Sequence, residues 1–470
     1  MYEDTIAAIA TPPGEGGIGT IRLSGPLAAS IMVRIFVPSS GNVLDVETVE
    51  SHKLMFGKVV EPGTGERVDE ALVALMRAPH SYTCEDVVEI DCHGGVVPVQ
   101  SVLALCLREG ARMAEPGEFT LRAFLNGRID LAQAEAVLDV VQARTDEGLR
   151  LAVEQLGGGV SARVKGIRAR LLHALAHLEA TIDFPEDDVP PADVSPDLRD
   201  ALDDLVALIA SANTGIVLRQ GVRTAIVGKP NVGKSSLMNA LLRTDRAIVT
   251  PIPGTTRDTL EEVVNVRGVP LVLTDTAGLR ANEDTDDPIE RIGMDRTRRA
   301  LSEADLALLI LDGSRMLDME DVNLIEKMKA EAPPVWLAVV NKSDLDQKLN
   351  RNSLGQVLGG ASTDVEVVET SAVKQGGTAV LEERLASLAL SGKATPRPGE
   401  TVITSVRHRD ALLRAHELVE SALAGSGRGV AAALVAVDIH GALNALGEIT
   451  GETVGEDLLD EIFRNFCIGK

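Results

Sequence analysis

Gly228-Lys229-Pro230-Asn231-Val232-Gly233-Lys234-Ser235 fits the spacing G-x-x-x-x-G-K-[ST], in which backbone N–H groups wrap nucleotide phosphates. It lies between a strand-like and a helix-like run, and a helix N-terminus there adds a favourable dipole. Lys234 is spaced to reach the β- and γ-phosphates and the Ser235 hydroxyl to ligate Mg²⁺; Asn231, Val232, Gly233 and Ser236 complete the binding loop. Asp275-Thr276-Ala277-Gly278 closes a second strand-like run, setting a carboxylate near the Mg²⁺ and a glycine near the γ-phosphate. Asn341-Lys342-Ser343-Asp344 closes another. Asp344 can accept hydrogen bonds from both N1–H and the amino group of guanine, a pair that adenine does not offer. Thr370-Ser371-Ala372 fits a loop supporting the base. The set reads as a GTPase, with ATP disfavoured.

Two features depart from the familiar signalling GTPases. Leu279 follows Gly278, where those enzymes carry the glutamine that orients the attacking water. The first switch falls on "VTPIPGTTRD", Val249 to Asp258, with Thr256 as the natural Mg²⁺ ligand. The Asn231 side chain and the carbonyls of Thr250, Ile252 and Thr255 can form an oxygen cage suited to K⁺. A cation there would supply the charge that an arginine finger supplies elsewhere.

The elements that must hold these residues fall into three regions. The chain has 470 residues, enough for about three domains. Its 45% hydrophobic and 25% charged composition is ordinary for a globular protein. Aromatics are only 2%, so Leu, Val, Ile and Ala must build the cores. Residues 1–118 alternate short apolar runs with Gly and Pro and carry a helix near residues 96–109, an α+β pattern. From 119 to 219 the periodicity is helical: "LAQAEAVLDVVQARTDEGLRLAVEQL" and "VSARVKGIRARLLHALAHLEATI" are two long amphipathic stretches around Gly157-Gly158-Gly159. From 220 to 375 strands alternate with helices, the rhythm of a mainly parallel sheet. Residues 376–470 are helical again. This order predicts an α+β N-terminal domain and a helical-bundle domain interrupted by an inserted α/β P-loop domain of Ras-like type.

A net charge of -24 excludes a protein that grips nucleic acid mainly through its own phosphate contacts. The local basic group Arg163, Lys165, Arg168 and Arg170 reads as a solvated helix face. No apolar stretch is expected to reach bilayer length, the start of the chain lacks a basic leader region, and four cysteines suit a reducing cytoplasm. Cys84, Cys92 and Cys106 lack zinc-ligand spacing and read as small buried hydrophobes. Cys467, in the terminal "FCIGK", would be an oxidation liability unless something uses it.

"ATPPGEGGIGTIRLSG", "SYTCEDVVEIDCHGG", "PGEFTLRAFLNGRIDLAQAEAVLDVV" and "EITGETVGEDLLDEIFRNFCIGK", with the nucleotide motifs and in this order, resemble the MnmE (TrmE) family of tRNA-modification GTPases over essentially the whole chain. The resemblance implies a homodimer working with the FAD-dependent partner MnmG. Together they would place aminomethyl or carboxymethylaminomethyl groups on C5 of the wobble uridine of certain tRNAs, the partner holding most of the tRNA. It implies that the N-terminal domain dimerises and binds 5,10-methylene- or 5-formyl-tetrahydrofolate. Arg22, Glu89 and Lys470 match the family's folate contacts, and Arg128 stands where a Lys is usual. Hydrolysis would accompany a K⁺-dependent approach of two GTPase domains. The water-positioning Glu corresponds to Glu290 in "IERIG", with Asp286 and Asp287 as neighbouring alternatives. The tail would reach the folate pocket, with Cys467 acting as nucleophile or proton donor. A switch GTPase without modification chemistry, or a GTP-regulated folate transferase acting elsewhere, is the rival reading.

Overall fold

A computed structural model describes residues 3–41, 43–183, 193–244, 261–275, 300–333, 335–359 and 365–470. Two compact units emerge. One comprises Met1–Leu138, Gln155–Leu198 and Ser421–Lys470, the other Asp139–Glu154 and Arg199–Glu420. Both are discontinuous in sequence, and the first contains both ends of the chain.

In the first unit, β1 (Ile6–Ile9), β2 (Gly19–Ser24), β3 (Phe36–Pro38), β4 (Leu54–Val60), β5 (Arg67–Met76), β6 (Val87–Cys92) and β7 (Arg112–Met113) form one sheet in the order β3-β4-β5-β6-β2-β1-β7. Neighbours pair antiparallel except β1 with β7. Ala71, Val73 and Leu75 of β5 alternate inward, the period-2 signature of a half-buried strand. They meet Ile31, Met32 and Ile35 of α1 (Ala28–Ile35) and Val102, Leu105 and Cys106 of α2 (Val96–Arg108) in one core. Cys92 and Cys106 are buried there, and burial pushes their thiols up to about 11 and about 12. Cys84 differs from the expectation: it is only half-buried and adopts a left-handed φ of 59°.

Helices α3 (Glu118–Leu125), α4 (Leu131–Gln142), α5 (Asp146–Leu156), α6 (Gly159–Asp183) and α7 (Ser195–Gln220) follow. The first long amphipathic stretch is therefore two helices. Thr145 restarts the chain: its Oγ1 accepts from the Gly148 N–H at 3.1 Å, a side-chain cap that periodicity alone does not register. On the basic face of α6, Arg168 pairs with Glu452 at 2.6 Å and Lys165 with Asp130 at 3.7 Å.

The second unit is built on β8 (Val222–Val227), β9 (Glu261–Val266), β10 (Val269–Asp275), β11 (Leu306–Asp312), β12 (Trp336–Asn341) and β13 (Glu366–Glu369), in the order β13-β12-β11-β8-β10-β9. All pairs are parallel except β9, which sequence rhythm did not mark and which runs antiparallel on β10. The run Leu306–Leu311 is apolar at every position because both faces are covered. Leu306, Leu308 and Ile310 enter one core while Ala307, Leu309 and Leu311 enter the other. This is the expected α/β P-loop sheet.

One expectation needs correction. Ser195–Gln220 and Ala432–Thr450 are long and apolar enough to cross a membrane by length and composition. Their apolarity serves core packing: Leu198, Ala201, Leu205 and Leu208 are buried on one, Ile439, Ala442 and Leu446 on the other.

Arg122 on α3 is fully buried and gathers three acids. It donates to Asp4 Oδ1 at 2.8 Å, to Glu118 Oε1 at 2.9 Å and to Glu85 Oε2 at 3.2 Å. Arg112 adds a bond to Glu118 at 2.5 Å and one to Asp4 at 2.6 Å. Burial alone would raise the Glu118 carboxyl, but hydrogen bonds from Arg112, the Glu115 N–H and Arg122 outweigh it and hold its pKa below the ordinary value. A depressed carboxylate stabilises the fold above its unfolded pKa, and the contribution fades as pH falls through the folded pKa. Arg122→Met, leaving these carboxylates short of their buried cation, should cost about 3–5 kcal/mol at pH 7. It should also flatten the acid limb of the stability profile in urea titrations. Wild-type stability in the variant at pH 7 would contradict this account.

Candidate functional site

The nucleotide motifs converge at the carboxyl ends of the parallel strands, the usual ligand edge of such sheets. Gly228–Gly233 leaves β8 and turns into α8 (Lys234–Thr244). Gly233 has φ +98°, and a Cβ there would lie 2.2 Å from Asn341 Nδ2, so only glycine lets the loop close on that amide. Asn231 is also left-handed, at φ 63°. Lys234 folds over the loop, its Nζ donating to the Gly228 and Lys229 carbonyls at 2.6 and 2.9 Å. Ser235 and Ser236 are exposed at the helix start.

Buried Asn341 joins three loops. Its Nδ2 donates to Val232 O at 2.9 Å, and its Oδ1 accepts from the Ala372 N–H at 3.3 Å. Lys342, at φ 63°, reaches Asn231 O at 2.9 Å and Asp312 at 2.6 Å. Ser371 Oγ donates to Asp344 Oδ1 at 2.6 Å, orienting a carboxylate whose residue is otherwise exposed. The loop thus carries phosphate-facing N–H groups, an ammonium, a hydroxyl at the helix start and an oriented acceptor for a base. Those are the parts a guanine nucleotide with Mg²⁺ requires. Lys229 is held by Asp318 at 2.5 Å and Asp321 at 3.2 Å, a clamp the motif did not reveal.

Asp275 ends β10 as expected. Thr250, Ile252, Thr255, Thr256, Thr276, Ala277, Gly278 and Glu290 lie outside the described residues. Of the K⁺ set only Asn231 is described, and of the Mg²⁺ set only Ser235.

A second cluster lies in the other unit. Arg22 on β2 stands directly opposite Glu89 on β6, and the two form an ion pair at 2.7 Å. The Arg22 Nη1 also donates to the Gly469 carbonyl at 3.2 Å, across 447 positions of sequence. Its guanidinium lies 5.6 Å from the Tyr82 ring centroid and 5.8 Å from that of Phe119. Arg128 covers Tyr82 at 4.7 Å. An open depression of about 540 Å³ beside them is lined by Tyr82, Arg128, His80 and Cys84.

The terminal residues are not frayed. Phe463 and Phe466 are buried against Ala123, Ile129 and Leu131. The Gly117 N–H donates to Cys467 O at 3.4 Å and the Phe119 N–H to Lys470 O at 3.2 Å. Gly469 has φ +94°, and a Cβ there would come within 2.4 Å of Ile9 O. The glycine is therefore a requirement of docking the tail against β1. Cys467 stays exposed although its carbonyl is held. The structure thus gathers Arg22, Glu89, Arg128 and the backbone of Lys470 about Tyr82 and Phe119. Sequence reasoning passed over both rings, although each sits inside a quoted motif.

The first 128 residues and the remainder match known families separately. Residues 5–128 match the family description "GTP-binding protein TrmE N-terminus", and residues 131–467 match "MnmE helical domain". The chain is 52% identical over 468 residues to the tRNA modification GTPase MnmE of Chloroflexus aurantiacus, covering 99% of this chain and 100% of that one. It is 46% identical over 474 residues to the protein of the same name from Alkaliphilus oremlandii, covering all of both. A crystal structure of Aquifex aeolicus Era bound to GDP and AlF4⁻ matches 42% of this chain and 65% of its own at 25% identity, with a TM-score of 0.27, too low to carry an argument. With the phosphate loop, the base-reading loops and the docked terminal tail in hand, full-length identity of this order leaves one assignment: the chain belongs to the MnmE (TrmE) family.

Proposed function

We propose that this protein hydrolyses GTP as one subunit of a machine that modifies C5 of the tRNA wobble uridine (U34), working as a homodimer with the flavoprotein MnmG in the cytoplasm. The observation that carries the reading is the docked tail. A GTPase acting only as a switch has no use for a C-terminal segment clasped by Arg22 beside two aromatic rings. The proposed division of labour follows the sequence: residues 1–118 for folate binding and dimerisation, 119–219 with 376–470 as helical scaffold, and 220–375 for GTP.

Tetrahydrofolate suits the Arg22 cluster chemically. Its pterin presents adjacent N–H and amino donors, the same edge that guanine offers, and Glu89 is a carboxylate able to accept both. Tyr82 and Phe119 offer apolar ring faces. Arg128 and Lys470 are cations suited to the carboxylates of the glutamate tail. The cluster would hold 5,10-methylene- or 5-formyl-tetrahydrofolate, which would supply the one-carbon unit. Cys467 stands exposed next to Gly469, within the segment that closes the site, as nucleophile or proton donor toward the uridine or the one-carbon unit. The FAD is the partner's, and the partner holds most of the tRNA, which accords with the net charge of -24 on this chain.

On the nucleotide side, Asp344 reads guanine, Lys234 neutralises the phosphates, and Ser235, with Thr256 from the first switch, holds Mg²⁺. Asn231 and the carbonyls of Thr250, Ile252 and Thr255 would hold K⁺, which would supply transition-state charge. Glu290 orients the water in place of the glutamine that Leu279 replaces.

Nucleoside mass spectrometry of bulk tRNA tests the reading most broadly. Cells lacking the gene should lose C5-aminomethyl-type wobble uridines, with wild type restoring them and neither Cys467→Ser nor Asp275→Ala doing so. Persistence of these nucleosides without the gene would hand the case to a pure switch GTPase. Hydrolysis rates in matched salts test the cage: K⁺ should accelerate GTP turnover at least about tenfold over Na⁺, a barrier difference of about 1.4 kcal/mol. Equal rates would remove the cation from the mechanism.

A further inference from the structure

His173 and His177 stand one turn apart on the exposed face of α6. Their Nε2 atoms approach to 3.2 Å, and the rings meet nearly edge to face, with centroids 4.6 Å apart and planes at 82°. From the neighbouring helix α7, the Asp197 Oδ2 lies 2.8 Å from His173 Nδ1. The acid fixes the tautomer. With Nδ1–H donating to the carboxylate, neutral His173 presents an unprotonated Nε2 to His177, and the proton between the two rings belongs to His177.

A divalent transition ion bound to two imidazoles at about 2.0–2.1 Å with a tetrahedral angle requires nitrogens about 3.3 Å apart. The observed separation of 3.2 Å is close to that bite, and both rings lie on an exposed face where small side-chain rotations can turn the two nitrogens toward one ion. Two histidines at i and i+4 on one helix face are a known metal-chelating spacing. A carboxylate behind one ligand's second nitrogen is the outer-shell partner that orients the ring and raises its basicity.

We propose that His173 and His177 form a two-nitrogen chelate for a borderline transition-metal ion of the Zn²⁺ or Ni²⁺ class, with Asp197 as its orienting carboxylate. The ion takes the place of the proton between the rings, and that proton moves from Nε2 to Nδ1 of His177. Two protein ligands leave the remaining coordination positions to water or to a donor from another molecule. Imidazole nitrogens exclude Mg²⁺ and Ca²⁺, which take oxygen ligands. The inference is independent of the proposed function: the site uses none of the nucleotide or folate residues.

Calorimetric titration of Zn²⁺ and of Ni²⁺ into untagged full-length protein tests it. Wild type and variants are measured in parallel, so that binding by the exposed Cys467 thiol cancels. His177→Gln, on an exposed face, should remove one metal equivalent per chain. Asp197→Asn should keep that equivalent with about tenfold or more weaker affinity. Mg²⁺ should give no heat that depends on His177. Identical Zn²⁺ and Ni²⁺ isotherms for wild type and His177→Gln would overturn the proposal, leaving the pair as a hydrogen bond within the helix.

Discussion

The Arg22 guanidinium is the contact on which the first unit's site depends. It holds Glu89 across the sheet and the Gly469 carbonyl at the far end of the chain. A charge-assisted bond of this kind is stronger than a neutral one, and here it acts with buried Phe463 and Phe466, which bring the apolar weight of the tail. Closing a loop of several hundred residues costs entropy only logarithmically in its length. Two buried rings and a few hydrogen bonds therefore suffice to hold a terminus that would otherwise fray. Once it is held, the Gly469 carbonyl stands beside the Arg22–Glu89 pair, and the exposed Cys467 lies two residues before it on a docked segment.

The nucleotide unit solves the corresponding problem with one amide. Asn341 ties the phosphate loop to the base-reading loops, and Gly233 is the position that allows its approach. Lys342 braces the loop through the Asn231 carbonyl while paired to Asp312, and Lys229 within the loop is paired to Asp318. The loop's left-handed residues are thus held by neighbours that over-determine them, which is how strained conformations persist at functional sites.

Much of this was legible in the sequence, for identifiable reasons. The central strands of the second unit are largely apolar runs, so Val222–Val227, which leads into the phosphate loop, Leu306–Asp312 and Trp336–Asn341, which ends on a motif residue, announced themselves. The edge strand Glu261–Val266 did not, because it carries no motif and faces its partner on one side only. The break at Thr145 was hidden because a cap is a single hydrogen bond, invisible to periodicity. Arg122 could not be read as buried, since only Glu118, one helical turn away, is near it in sequence, while Asp4 and Glu85 are brought to it by the fold. The apolarity of Ser195–Gln220 and Ala432–Thr450 was underrated because core helices approach membrane hydropathy. That the tail is docked rather than frayed was legible from resemblance alone; the manner of docking, a clasp on Arg22 with Gly469 against Ile9, needed the structure. Tyr82 and Phe119 were missed because an aromatic residue inside a motif gives no sign of which face it presents.

The central claim is that the terminal residues form one wall of a pterin-binding site. Calorimetric titration of 5-formyl-tetrahydrofolate into full-length protein and into a chain ending at Cys467 tests it directly, since the truncated chain keeps both anchoring phenylalanines. The account predicts affinity lower by at least about tenfold in the shortened chain, a difference of about 1.4 kcal/mol or more. Equal affinity in the two chains would contradict it.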